Sequence, residues 1–301
     1  MKTFHKGEDI TLNLNVSPYF RGILRGFAHD ISEGCTLDGT LIMNVHHPTK
    51  IKRLETKLSG QARVNFRTYN SMGVPTTDGQ EERMIYLKIN TYVDQTKAYE
   101  PGTYCFPFTF HIPPTVPHTL NSKYGQIYYT LNATASRTVL KSDVHVEQPI
   151  FLRRCLMDDL NPVAPATQTI VGKMHPEIVS YSATAPSMVY AEGGLLTLNF
   201  QVHLKDFNKY SVRTVTCGLQ ENQYFRTTGR YSLTNQAAHY NKSFFPLGCS
   251  TFFPSKHPEY NPAELHHYNA LFRLYPRVQT DNKSKLIAVQ HQLVICMIID
   301  D

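Results

Sequence analysis

Fourteen histidines and plentiful serine, aspartate and glutamate give this chain the raw material for acid–base or nucleophilic chemistry. Such chemistry needs its groups held at fixed spacing. None of the patterns that supply it is present: no GxSxG elbow, no HExxH, no Walker loop and no GxGxxG. The adjacent pairs His46-His47 and His266-His267 are on strands by pattern, where neighbouring side chains point to opposite faces, so neither pair is expected to chelate a metal. His291 has the inward parity of its strand and reads as a satisfied core or interface histidine. The sequence therefore predicts no enzyme, no metal site and no cofactor.

A basic run is the more promising feature. Lys50, Lys52, Arg53, Lys57, Arg63 and Arg67 stand against the single acid Glu55. Strand parity places Arg53, Lys57, Arg63 and Arg67 on a polar face opposite Leu54, Leu58 and Val64. A stripe of this kind attracts phosphate groups, acidic peptide segments or anionic lipid headgroups. The plainer reading, and the favoured one from the residues alone, is the solvated outer face that keeps a sheet soluble. Nucleic-acid binding needs stackable aromatics among the basic residues, or a helix for the groove. Phe66 falls on the apolar face instead, and no nucleic-acid partner is expected.

The elements that would carry these residues are strands. At 301 residues, 41% hydrophobic and 18% charged, the chain has enough length and apolar content for two packed domains. Its 18 Tyr and 16 Phe, with no Trp, favour strands. The net charge of +6 divides evenly between the halves, so there is no basic tail. Six scattered cysteines without a CxxC pair fit neither a zinc site nor a disulfide framework. The first residues lack an apolar signal region, and the longest strongly apolar run, Leu293–Ile299, is far short of the ~20 residues that span a bilayer. A reduced, cytosolic protein is expected, in which the triplets at Asn132, Asn241 and Asn282 carry no sugar.

Alternation is pervasive. Ile10, Leu12, Leu14 and Val16 share one face, as do Leu54, Thr56, Leu58, Gly60, Ala62, Val64 and Phe66, with Gly60 a bulge or kink. Ile85, Leu87, Ile89 and Val93 repeat the pattern. Phe106, Phe108, Phe110 and Ile112 form another face, and after the PPTVP turn Ile127, Tyr129, Leu131, Ala133 and Ala135 form its hairpin partner. Beyond a Pro- and Asp-rich stretch, Leu196–Leu204, Val215–Leu219 and Ile287–Met297 alternate again. No amphipathic helix of useful length emerges. The expectation is all-β: two tandem antiparallel immunoglobulin-like sandwiches over 1–160 and 171–301, joined by a linker at 161–170.

At this level of detail the residues resemble a known family. YEPGTYCFPFTFHIPPTVPHTLNSKYGQIYYTLNA is similar to the arrestins, and among them to the α-arrestins, or arrestin domain-containing proteins. LDGTLIMNVHHPTKIKRLETKLSGQARVNF resembles the family's earlier strands. VSYSATAPSMVYAEGGLLTLNFQV, VRTVTCGLQENQYF and LIAVQHQLVICMII resemble strands of its C-terminal domain. The likeness is specific over 41–137 and looser beyond about 170. In the family the second domain usually continues past the V-x-H-x-L strand. Here Asp300-Asp301 follows, which leaves open whether the second sandwich is incomplete there.

The resemblance implies a non-enzymatic cytosolic adaptor, peripheral at the plasma membrane or endosomes. It would bind cytosolic segments of transporters or receptors for endocytosis, sorting or signalling. It also implies recruitment of a HECT-type ubiquitin ligase through PPxY motifs read by WW domains. This chain has no PPxY. Its nearest segment is His257-Pro258-Glu259-Tyr260, where Pro258 and Tyr260 form a weak ligand-like pair for which a plain turn is the favoured reading. The basic face at Lys50, Arg53, Lys57, Arg63 and Arg67 is the candidate docking surface. Two other classes stay open: a trafficking-coat or structural scaffold with protein partners only, and a small-ligand or carbohydrate-binding β-sandwich.

Overall fold

The computed structural model describes residues 9–25, 34–138, 141–155, 167–186, 195–228, 237–250, 261, 266–273 and 278–301. Among them alternation is realised as strands, and no helix occurs. The first series is β1 (Ile10–Val16), β2 (Ile23–Arg25), β3 (Cys35–Val45), β4 (Thr49–Tyr69), β5 (Pro75–Val93) and β6 (Lys97–Tyr99). It continues with β7 (Gly102–Ile112), β8 (Leu120–Asn121), β9 (Gly125–Arg137), β10 (Val144–Ile150) and β11 (Arg153–Cys155). The second series is β12 (Thr167–Val171), β13 (Val179–Pro186), β14 (Leu195–Leu204), β15 (Ser211–Arg226), β16 (Ala238–Ser250), β17 (His266–Arg273), β18 (Asn282–Lys283) and β19 (Ile287–Asp300). β12 overlaps the end of the stretch expected as a linker, 161–170, and 156–166 lie outside the described residues.

The chain divides into two compact units. The first comprises Met1–Cys155 with Phe225–His239 and Ser284–Ile287; the second holds Leu156–Tyr224, Tyr240–Lys283 and Ala288–Asp301. In the first unit a sheet ordered β1-β3-β7 faces a larger one ordered β10-β9-β4-β5, to which β6 and β8 are appended. Every inward residue of β4 from Leu54 to Phe66 is buried, and so are Phe108, Phe110 and Ile112 of β7 and Ile127 to Ala135 of β9. Only alternate residues of each strand turn inward, so this burial follows directly from the period-two pattern.

The aromatic stretch departs from the hairpin expected of it. β7 pairs with β3, whereas β9 pairs with β4 and β10 in the opposite sheet. The PPTVP segment therefore crosses from one sheet to the other. It is fastened from below: the Arg154 guanidinium donates to the carbonyls of Pro114 and Val116 at 2.7 and 2.8 Å, and the Tyr129 hydroxyl donates to that of Pro117 at 2.5 Å. Proline-rich backbone has few donors of its own, so its carbonyls are satisfied by side chains.

β5 departs in a second way. Across the ladder Leu58 stands opposite Lys88, while Lys57 and Ser59 stand opposite Ile89 and Leu87. Opposed residues share a face. Leu87 and Ile89 thus lie on the outer surface, together with Met84, and all three are exposed. The register shift at Gly60/Gln61 leaves Ile85 as the extra residue of a bulge. Val93, opposite Leu54, is buried as the pattern predicts.

The second unit pairs a sheet ordered β12-β13-β14-β17 with one ordered β16-β15-β19-β18. Its core gathers Val179, Phe200, Val202, Leu204, Val212 and Val215. His291 is indeed a satisfied histidine. Nδ1 lies 2.5 Å from Asp281 and Nε2 3.1 Å from Glu221; the latter also accepts from the Gln279 N–H at 2.7 Å and from Gln223 at 2.6 Å. Burial opposes the imidazolium, but the two carboxylates outweigh it and raise His291 to about 9. Burial likewise opposes the Glu221 carboxylate, and its donors nonetheless hold it below the usual range.

Two predictions follow from this packing. A Cβ at Gly60 would stand 2.4 Å from the fully buried Tyr129 ring, so Gly60→Ala should cost about 1–3 kcal/mol in denaturant unfolding. The raised His291 stabilises fully below its unfolded value near 6.5, and that contribution disappears as pH rises through about 9. The depressed Glu221 acts in the opposite direction, its contribution present above 4.5 and lost on acidification. Unfolding stability should therefore decline by on the order of 2 kcal/mol from about pH 6 to about pH 9.5, and His291→Gln should flatten that decline.

Candidate interaction surface

The outer face of the larger sheet in the first unit is built from the polar parity of β4. Arg53, Lys57, Arg63 and Arg67 all fall on it, opposite the buried row from Leu54 to Phe66. Lys50 lies beyond a register shift between Ile51 and Arg53, at which Lys52 is the bulged residue. Lys50, Lys52 and Arg53 are consequently all exposed.

Acids from β4 itself and from neighbouring strands stand among these cations. The Arg53 guanidinium lies 2.8 Å from Glu55. Arg63 stands opposite Glu82 of β5, and the Tyr128 hydroxyl sits between the Gln61 amide oxygen and Glu82, 2.7 Å from the latter. Burial, together with the Glu82 carboxylate, pushes that phenol up to about 12. Glu147 of β10 enters opposite Asn132, itself beside Lys57. The stripe is therefore an interleaved field of both signs. Apolar Met84, Leu87 and Ile89 run alongside it on β5.

The hairpin that carries the stripe extends further than its neighbour. Pairing of β4 with β9 stops at Val64–Gly125, whereas pairing with β5 continues to Tyr69–Pro75. The connecting turn is well formed. The Asn70 side-chain oxygen accepts from Met72 N–H at 3.0 Å and from Val74 N–H at 2.9 Å, and Gly73 takes a φ of 76°. No residue from Thr68 to Thr77 is charged. At the tip Tyr69, Met72 and Val74 are 59%, 81% and 52% exposed. The run N-S-M-G-V is a turn signal that parity-based reading of the basic stripe passed over.

Pro258 and Tyr260 lie outside the described residues, as do the side chains of His266 and His267. His46 and His47 are exposed, and His46 approaches the Thr11 hydroxyl at 3.5 Å. Among the described residues no group of three or more His, Cys, Asp or Glu is arranged to hold a metal. The second unit contains a cavity of about 490 Å³ between its sheets, lined mainly by aliphatic side chains, with Tyr181, Phe200 and His291. No helix among the described residues is long and apolar enough to cross a membrane.

Replacing the turn's organiser, Asn70→Ala, removes two backbone-capping bonds. It should raise amide exchange at Met72 and Val74 while costing only about 1 kcal/mol globally, as measured by hydrogen exchange alongside denaturant unfolding.

Comparison with known proteins now bears on this architecture. Residues 30–155 match the family model described as the arrestin (or S-antigen) N-terminal domain. An arrestin domain-containing protein of Schizosaccharomyces pombe is 24% identical over 216 residues, which is 69% of this chain and 36% of that protein. A HECT-type ubiquitin ligase-interacting protein, creD, of Emericella nidulans is 24% identical over 55% of this chain and 28% of its own length. A second S. pombe protein, described as an arrestin-related trafficking adapter, is 21% identical over 69% of this chain and 47% of its own length. The chain thus spans less than half of each of these relatives. The first sandwich thus matches the arrestin N-terminal domain, and through it and the relatives named for the same domain the chain is similar to arrestin-domain proteins of the α-arrestin type.

Proposed function

We propose that the chain is a non-enzymatic adaptor that binds cytosolic segments of membrane proteins, transporters or receptors, for sorting and endocytosis. The observation that carries this reading is the β4–β5 hairpin. An ordered, uncharged tip exposes Tyr69, Met72 and Val74, and behind it on one face lie Arg53, Lys57, Arg63 and Arg67. The tip offers an apolar anchor, and the cations offer charge-assisted bonds to acidic side chains or phosphates. Exposed acids Glu82 and Glu147 among the cations select against uniformly acidic partners and favour a matched pattern of charge.

The relatives support the reading through their names, one a trafficking adapter and another a partner of HECT-type ubiquitin ligases. Ligase recruitment by the present chain is part of the same proposal. It does not rest on a PPxY, since none occurs in this sequence. Placement in the cytosol, at the surface of the plasma membrane or endosomes, follows from the same role.

Two variants test the reading. Replacing Arg53, Lys57, Arg63 and Arg67 together by Glu should weaken binding to acidic cytosolic tail peptides by about tenfold or more, because each interfacial charge contact contributes roughly 0.5–1.5 kcal/mol. Met72→Asp should weaken capture of detergent-solubilised membrane proteins without changing the melting temperature. Unchanged binding in both variants removes the hairpin from the mechanism.

A further inference from the structure

We propose that His239 is a proton-operated latch: its neutral ring closes an aromatic cluster against the inner side of the β4–β5 hairpin, and its protonated ring opens that cluster. The first unit includes a segment remote in sequence from the rest of it, Phe225–His239. The residues that follow β15 and those that lead into β16 hold each other. The Thr227 N–H donates to the Ala237 carbonyl at 2.9 Å, and the Ala237 N–H donates to the Thr227 hydroxyl at 2.9 Å. This clasp carries two groups that reach the hairpin, Thr228 and His239.

Thr228 grips β5 by donating its N–H and hydroxyl to Glu81 at 2.6 and 2.7 Å. His239 meets β4 with its ring. The imidazole stacks on Phe66 at 5.7 Å between centroids and 28°, and stands 4.2 Å from the Tyr124 ring and 6.4 Å from that of Phe225. Tyr124 meets Phe225 at 5.8 Å, and its carbonyl accepts from the N–H of Asn65, the residue before Phe66, at 3.0 Å. The Phe66 ring in turn lies on Gly79 of β5, where a Cβ would stand 2.4 Å from it. One imidazole thus ties β4, the β8–β9 connection and the end of β15 together.

The groups around this ring make it sensitive to protons. Phe66 and Phe225 offer no charge. The β8–β9 connection contributes the Tyr124 phenol and Lys123, whose ammonium lies 5.0 Å from the centre of the Tyr124 ring. β5 contributes Glu81, whose carboxylate is turned to Thr228. His291 makes the contrast, because Asp281 and Glu221 keep it charged. Among the described residues no carboxylate is bonded to His239. Aromatic faces attract cations, but Lys123 already serves that of Tyr124. Burial and the Lys123 charge accordingly hold His239 below its ordinary value of 6.5. Above that value the neutral ring packs without penalty. As pH falls below it the opened state binds the proton first, so the latched state is progressively lost.

The latch is a property of the first unit alone. Its consequence for partner capture rests on the adaptor reading, in which a hairpin loosened on its inner side presents its tip less firmly. The test therefore reads the hairpin and not the partner.

Amide hydrogen exchange of the full chain, expressed as protection factors at about pH 7.5 and about pH 5.5, provides that reading. Protection at Asn65, Thr227 and Ala237 should fall about threefold or more at the lower pH, with the β3–β7 ladder unchanged. His239→Phe keeps a ring in the cluster, takes no proton, and should abolish the fall. Lys123→Gln, at an exposed site, removes the repelling charge and should shrink it. Protection that does not depend on pH in the native chain overturns the proposal. So does a fall of undiminished size in His239→Phe or in Lys123→Gln, which would assign the proton to another group such as Glu81.

Discussion

β4 is the constraint on which the first unit depends. For 21 residues it runs as one strand, hydrogen-bonded to β5 on one side and to β9 on the other. A strand with neighbours on both edges cannot slip by one residue without reversing every side chain it carries, so its register is strongly fixed. Its buried row, from Leu54 to Phe66, anchors the core. The same register must then hold Arg53, Lys57, Arg63 and Arg67 on the opposite surface. Core and candidate surface are two faces of one alternation.

The length of β4 has a second consequence. Because β9 begins only at Gly125, the last turns of β4 and β5 are supported by each other and by whatever covers their inner side. Within the unit that cover includes the His239 ring over Phe66 and the Thr228 N–H and hydroxyl, which donate to the buried Glu81 carboxylate at 2.6 and 2.7 Å. Buried carboxylates are tolerated only when bonded in this way. With its inner side held, the hairpin can present an apolar turn without collapsing it onto the sheet.

How far the sequence reveals this depends on where the information resides. The faces of β4 are legible because burial on one side alone leaves a clean period of two. β5 misleads for a local reason. Its bulge at Ile85 and its pairing with β4 decide which parity points inward, and neither is encoded in its own alternation. The assignment of β7 and β9 to opposite sheets is hidden in the same way, since a connection of this length suits a hairpin or a crossing equally. Glu82 and Glu147 reach the basic face from strands distant in sequence, so a one-strand reading overstates its charge. His291 is legible as a core residue, while its partners Asp281 and Glu221 are visible only in three dimensions.

In the proposed role the tip and outer face of the β4–β5 hairpin meet membrane proteins. A photoreactive benzophenone side chain placed at Met72, with an identical one at the equally exposed Tyr19 as control, tests it in living cells. Irradiation should link the Met72 position, and not the Tyr19 position, to integral membrane proteins. Crosslinks from Met72 confined to soluble proteins, or a membrane-protein profile shared by both positions, would contradict it.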